Sequence, residues 1–169
     1  MAGNASGTHN GWRYDAANSR LDVYFRGTRV GHFDASGLTN LLGLTSTSAS
    51  AGIGYATGAG GAVTQITSKA TGVTMVPNPC LSGTITTHNA SLAAEGTVDF
   101  IVTNSAVAVG DTVVLSIQSG TNDGGTIASV AVVGAGVFTV RLYNGNVASG
   151  TAETGAILIN FAIIKAVSA

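Results

Sequence analysis

The stretch AILINFAIIKAV, residues 156–167, decides the reading of the fold. Successive side chains of a strand point to opposite faces, so Ile157, Ile159, Phe161 and Ile163 share one side. Leu158, Ala162, Ile164 and Ala166 share the other, which only Asn160 interrupts. A sheet with one wet side alternates apolar with polar residues, and this stretch does not. It is expected either at the centre of a monomer or at a subunit interface. A sandwich made from residues 84–169 alone covers few strands twice, which favours the interface, with Leu158, Ala162 and Ile164 as contact residues.

Working backwards, five more segments carry strand patterns: Thr84–His88, Val98–Asn104, Thr112–Gln118, Ile127–Val133 and Val137–Tyr143. Turn residues separate them, among them Gly110-Asp111, Gly134 to Gly136, Asn144-Gly145-Asn146 and Ser149-Gly150. Short strands at regular spacing with Gly/Asn turns predict an all-β fold whose C-terminal part, 84–169, is an antiparallel, jelly-roll-like β-sandwich.

Ahead of it lies different material. Between Ala35 and Ala94 the only formal charge is Lys69, and the segment 43–83 is rich in Gly, Ser and Thr, with Tyr55 its only aromatic. One copy of such a segment cannot make a core. Residues 39–83 are therefore expected to be an extended arm or a linker, and Val63-Thr64-Gln65-Ile66-Thr67 favours the arm because it alternates β-branched residues. Pro77 and Pro79 force a non-helical corner at its end.

The N-terminal block, 1–38, holds seven of the fifteen charges within residues 12–34. Trp12–Asp15, Leu21–Phe25 and Arg29–Phe33 read as a three-stranded meander, with a tight turn at Gly27 and an end at Ser36-Gly37. Arg13, Arg20, Arg26 and Arg29, interleaved with Trp12, Tyr14 and Tyr24, suit a docking surface, since Arg is a favoured interface cation. The competing reading is a solvated face balanced by Asp15, Asp22 and Asp34.

Composition narrows function. Only 9% of the 169 residues are charged, against about 25% in an ordinary soluble domain. A net charge of −1 argues against nucleic-acid binding, which needs a basic face. No apolar run reaches the 18 or so residues of a membrane helix. The opening MAGNASGTHNGW has no apolar signal region, so synthesis in a cytosol is expected. The single Cys80 makes neither an internal disulfide nor a cysteine-based zinc site. No G-x-S-x-G, P-loop, G-x-G-x-x-G or H-E-x-x-H motif is present, and His9, His32 and His88 are widely spaced. Neither an enzyme nor a cofactor or metal site is expected.

The strings GIGYATGAGGAVTQITSKATGVT (52–74), SGTITTHNASL (82–92), VDFIVTNSAVAVGDTVVLSI (98–117) and INFAIIKAV (159–167) together resemble a module of tailed-bacteriophage and prophage virion proteins. RYDAANSRLDVYFRGTRVGHFDASG (13–37) is similar to the short meander that heads many of them. The resemblance implies a virion accessory protein, commonly trimeric, made in a bacterial cytoplasm. Its first form is a head decoration (cement) protein on the capsid exterior, bound to the major capsid protein. Its second is a tail or head fibre that attaches to host-surface glycans.

Overall fold

The computed structural model describes residues 10–35, 37–40, 60–122, 125–146 and 151–166. All regular elements among them are strands, and the chain divides into two compact units, Met1–Gly54 and Tyr55–Ala169.

The first unit is an antiparallel meander of β1 (Gly11–Asp15), β2 (Arg20–Phe25), β3 (Thr28–Asp34) and β4 (Gly37–Asn40), in that order. Arg26 and Gly27 both take positive φ, +48° and +74°. That is the hairpin geometry whose twist matches the flanking strands. The fourth strand was not expected. Gly37 does not end the sheet: at φ +115° it turns the chain back, and Leu38 pairs with Phe33.

The second unit contains β5 (Gly60–Thr64), β6 (Val73–Thr74), β7 (Ser82–Thr86), β8 (Thr97–Thr103), β9 (Thr112–Ser119), β10 (Thr126–Gly134), β11 (Val137–Asn144) and β12 (Leu158–Ile164). They form two four-stranded sheets, β10-β11-β8-β6 and β5-β7-β12-β9. The six strands expected from sequence are β7 to β12. The sandwich is not purely antiparallel, because β5 runs parallel to β7 and β6 parallel to β8.

Those two parallel strands come from the segment expected to be an arm. The extended arm or linker of 39–83 therefore does not reach its expected end: residues 60–83 belong to the sandwich, and 41–59 lie outside the described residues. Glycine makes this possible. A Cβ on Gly83 would sit 2.2 Å from the Gly61 carbonyl oxygen and 2.9 Å from the Phe161 ring, and one on Gly61 would sit 2.7 Å from Cys80 Sγ. The small residues that leave this segment without a core of its own let β5 lie flush against β7. Met75 and Cys80, from the same segment, are buried.

Between the sheets lie Ile85, Phe100, Val102, Phe138, Val140, Leu142, Ile159, Phe161 and Ile163, all buried. Phe138 of one sheet meets Phe161 of the other at 5.5 Å between ring centroids. Each such side chain contributes about 1.5–3 kcal/mol. The corner at 76–80, with cis bonds before Pro77 and Pro79, is tied down by polar side chains. Asn104, fully buried, donates to the Cys80 carbonyl (2.7 Å) and accepts from the Cys80 amide (3.2 Å). Asn78 accepts from the amide and hydroxyl of Ser105. At the far end of β12, Asp111 accepts from Lys165 Nζ and from the amides of Ala108 and Ala166.

Two predictions follow from this packing. Gly83→Ala should lower stability by roughly 1–3 kcal/mol through overpacking against backbone. Gly136→Ala has nothing within 4 Å of its Cβ and is strained only by its φ of +73°, so it should cost about 1 kcal/mol. Equal effects in denaturant unfolding would show that β5 is not held against β7. Lys165, followed by the Ala108 amide, brings the Asp111 carboxyl down to about 2 from 3.8. The unfolded chain then takes up the proton first, so stability falls as pH drops through 3.8 toward about 2. Asp111→Asn should have a shallower fall over that window, read as thermal midpoint against pH.

Candidate interaction surfaces

In the meander, the period of two sorts the residues expected to form one docking patch onto two faces. Asp22 is almost fully buried and collects the cations of its own face. Arg20 Nε donates to it at 2.9 Å, Arg29 Nη1 lies at 3.5 Å, and the Tyr24 hydroxyl donates at 3.4 Å. Arg20 also reaches Asp15 at 3.2 Å. Arg20 and Arg29 thus each pair with carboxylates of their own sheet. Arg13 is exposed on the same face, and Arg26 sits at the hairpin tip with its guanidinium 5.5 Å from the Phe25 ring. His32 Nε2 lies 3.2 Å from Asp34, while its Nδ1 is buried with no partner.

The opposite face carries Trp12, Tyr14, Leu21, Phe33 and Leu38. Trp12 and Phe33 stack at 6.1 Å, yet Trp12 remains 61% and Tyr14 66% exposed. This face of the unit is largely aromatic, and Arg20 and Arg29 lie on the other one. Phe33 and Leu38 were not anticipated as part of it. Leu38 had no signal, because the fourth strand was not foreseen; Phe33 was visible as an aromatic on the last expected strand.

In the sandwich, β12 is central in its sheet, between β7 and β9. Its inner face, Ile159, Phe161 and Ile163, is core. Its outer face places Leu158 beside Thr86, Asn160 between Thr84 and Ser116, and Ala162 between Ser82 and Val114. Leu158 and Ala162 are half-buried among these short polar side chains, and Ile164 at the strand end is exposed. Tyr55 lies outside the described residues.

The outer face of the other sheet, which sequence reading did not single out, also exposes apolar side chains. Its rows are Ile127–Tyr143–Thr97, Ser129–Arg141–Asp99 and Val132–Thr139–Ile101. Ile127, Val132 and Ile101 are 57%, 62% and 52% exposed. At its centre Arg141 grips Asp99 with two bonds, Nε to Oδ1 at 2.8 Å and Nη2 to Oδ2 at 2.7 Å. That grip holds the Asp99 carboxyl below its usual range and Arg141 above its own. A groove of about 410 Å³ runs beside it, lined by Ala70, Gly72, Asp99, Phe100, Ile101 and Thr139.

The buried polar groups serve as locks. Lys69 is 3% exposed, and its ammonium donates to the carbonyls of His88 and Gly155, both at 2.6 Å. Burial pushes its pKa down, opposed by the charge of Glu153. Glu153 accepts from Thr126 Oγ1 (2.8 Å) and the Asn122 amide (3.1 Å). Gln65 bonds the carbonyls of Lys69 and Thr71 and the His88 amide. His88 Nδ1 accepts from the Ala90 amide at 2.9 Å. These bonds tie the loops around residues 65–71, 88–90 and 153–155 to one another and to the start of β10 at Thr126. Among the described residues no three His, Cys, Asp or Glu side chains gather to hold a metal ion, and no helix is long and apolar enough to cross a membrane.

Comparison with protein-family models, curated proteins and solved structures finds no match to this chain.

Asp22 organises the meander, and Trp12 is the chain's only tryptophan. Asp22→Ala should therefore lower the unfolding midpoint followed by tryptophan fluorescence, by roughly 1–3 kcal/mol. The far-UV signal of the sandwich should keep its midpoint. Coincident shifts of both signals would mean that the two units unfold together and that Asp22 is not local to the meander.

Proposed function

We propose that this protein is a non-enzymatic structural component of a tailed-phage virion: a decoration or cement protein that sits on the capsid exterior as a homotrimer and binds the major capsid protein. The observation that carries the reading is the bare outer face of β10-β11-β8-β6, where Ile101, Ile127 and Val132 stand more than half exposed around one neutralised ion pair. Large apolar side chains exposed together on one sheet face support an association site. Covering it returns about 25 cal/mol per Å² of apolar area removed from water. The low charge of the chain and the resemblance of its strings to virion modules point the same way.

The role is mechanical. The meander's aromatic face, Trp12, Tyr14, Phe33 and Leu38, is the surface offered to the capsid, and the sandwich supplies contacts between copies. Rigidity within the sandwich comes from its packed sheets and the loop locks at Lys69, Gln65 and Glu153. No catalytic step, cofactor, nucleic acid or membrane enters this mechanism.

A second reading rests on the stacked and exposed Trp12–Phe33 pair. Aromatic rings of this kind also stack on sugar rings, which suits a tail or head fibre that attaches to host-surface glycans.

Two measurements test the proposal. Sedimentation equilibrium of the full chain at micromolar concentration should give the mass of three chains, and density of an intact particle should place the chain outside the head. A stable single-chain species would overturn the assembly. Density confined to the tail would overturn the decoration role in favour of the fibre.

A further inference from the structure

We propose that Asn10 is a site of self-modification: the Gly11 backbone nitrogen attacks its side-chain amide, ammonia leaves, and an aspartate or isoaspartate remains at the edge of the meander. The proposal is independent of the virion reading and of what covers any sheet face.

The chemistry uses only the chain and water. The Gly11 amide gives its proton to solvent, and its nitrogen forms a bond to Asn10 Cγ. The bond between Cγ and Nδ2 then breaks, the departing nitrogen takes up a proton, and ammonia is released. Water opens the resulting five-membered imide at one carbonyl to give aspartate, or at the other to give isoaspartate. Nothing is oxidised or reduced. The step is easiest where the following residue has no side chain, where solvent reaches the amide, and where the local backbone can turn.

The chain contains two Asn-Gly pairs, Asn10-Gly11 and Asn144-Gly145, and the fold treats them in opposite ways. Asn10 is exposed and precedes β1, an edge strand that Gly11 opens. The open end of an edge strand separates locally at little cost. A Cβ on Gly11 would meet nothing within 4 Å, so no other part of the chain crowds the nucleophile. The Arg26 amide donates to Asn10 Oδ1 at 2.9 Å. That oxygen takes the negative charge of the tetrahedral intermediate, and a donor already aimed at it lowers the barrier.

Asn144 also has a donor on its Oδ1, the Asn146 amide, but the rest of the residue is fixed. It is 2% exposed, and its Nδ2 donates to the carbonyls of Leu92 (3.1 Å) and Thr151 (3.0 Å). Its own amide and carbonyl bond Gly96 and Glu95, and the Gly145 amide donates to the Gly125 carbonyl at 3.0 Å. Attack there requires all of these bonds to break first.

Conversion of Asn10 changes the meander. A carboxylate replaces an amide against the hairpin tip at Arg26, adding one negative charge to a chain whose net charge is −1. The isoaspartate form also lengthens the main chain by one methylene just ahead of Trp12.

The test incubates the full chain at mildly alkaline pH, folded and in denaturant, and follows each Asn-Gly peptide by mass spectrometry. In the folded protein Asn10 should convert and Asn144 should not, whereas in denaturant the two should convert at similar rates. Gly11→Ala, checked as folded by circular dichroism, should slow conversion at Asn10 about tenfold or more. Equal conversion at both sites in the folded protein would overturn the proposal, because the fold would then make no selection. So would an intact Asn10 in the folded protein at a time when the denatured chain has converted. If Gly11→Ala converts as fast as the unaltered chain, the Gly11 nitrogen is not the nucleophile and the route is refuted.

Discussion

A two-layer sandwich gives each of its sheets one covered face and one bare one, and everything distinctive about this chain turns on what its bare faces carry. With few charged side chains to place, the protein cannot coat both outer surfaces with solvated residues. It treats the two differently. Behind β12 it sets Leu158, Ala162, Val114 and Ile164 among Thr, Ser and Asn, with no charge on those rows. Behind β8 and β11 it leaves Ile101, Ile127 and Val132 around a single ion pair. The meander also divides its faces, with Asp22, Arg20, Arg29 and Tyr24 on one side and Trp12, Tyr14, Phe33 and Leu38 on the other.

The sandwich obtains its fourth pair of strands from unpromising residues. β5 and β6 come from a segment too poor in large side chains to build a core, and they need none, because β7 and β8 already face a finished one. What they supply is edge backbone with one apolar side chain each, buried Val73 and partly buried Val63, and the rest of their sequence must be thin. Gly61 opposite Gly83 meets that demand. Loops that would otherwise swing free at this end are fixed by Lys69, Gln65 and Glu153, buried polar groups whose partners are backbone carbonyls and amides. Such groups are costly unless every bond is made, which holds the loops in one arrangement.

The buried titratable side chains of the sandwich are spent on holding loops: Lys69 and Glu153 bind backbone groups of the loops around His88, Asn122 and Gly155, and Asp111 binds those of Ala108 and Ala166. The outer face of β10-β11-β8-β6 sets exposed Ile101, Ile127 and Val132 around the groove beside Asp99.

Periodicity and turn residues made the six strands of the sandwich core and the first three of the meander legible, because alternation along a strand survives any arrangement of the sheets. It also identified β12 as apolar on both sides. Which side would be bare, and beside what, was not legible: the neighbours of Leu158 and Ala162 are Thr86, Ser82 and Val114, set by pairings between residues far apart in sequence. The same holds for Asp99 and Arg141, 42 residues apart and joined only by the register of β8 and β11. The glycines at 60, 61 and 83 misled for a related reason. A residue without a side chain fits a free linker and a tightly pressed strand equally well, and the choice depends on whether another backbone occupies the space. Local pattern determined which segments are strands and how little charge they carry. Register and close approach, which exist only once distant segments meet, decided which strands pair, which glycines are pressed and which face is left for a partner.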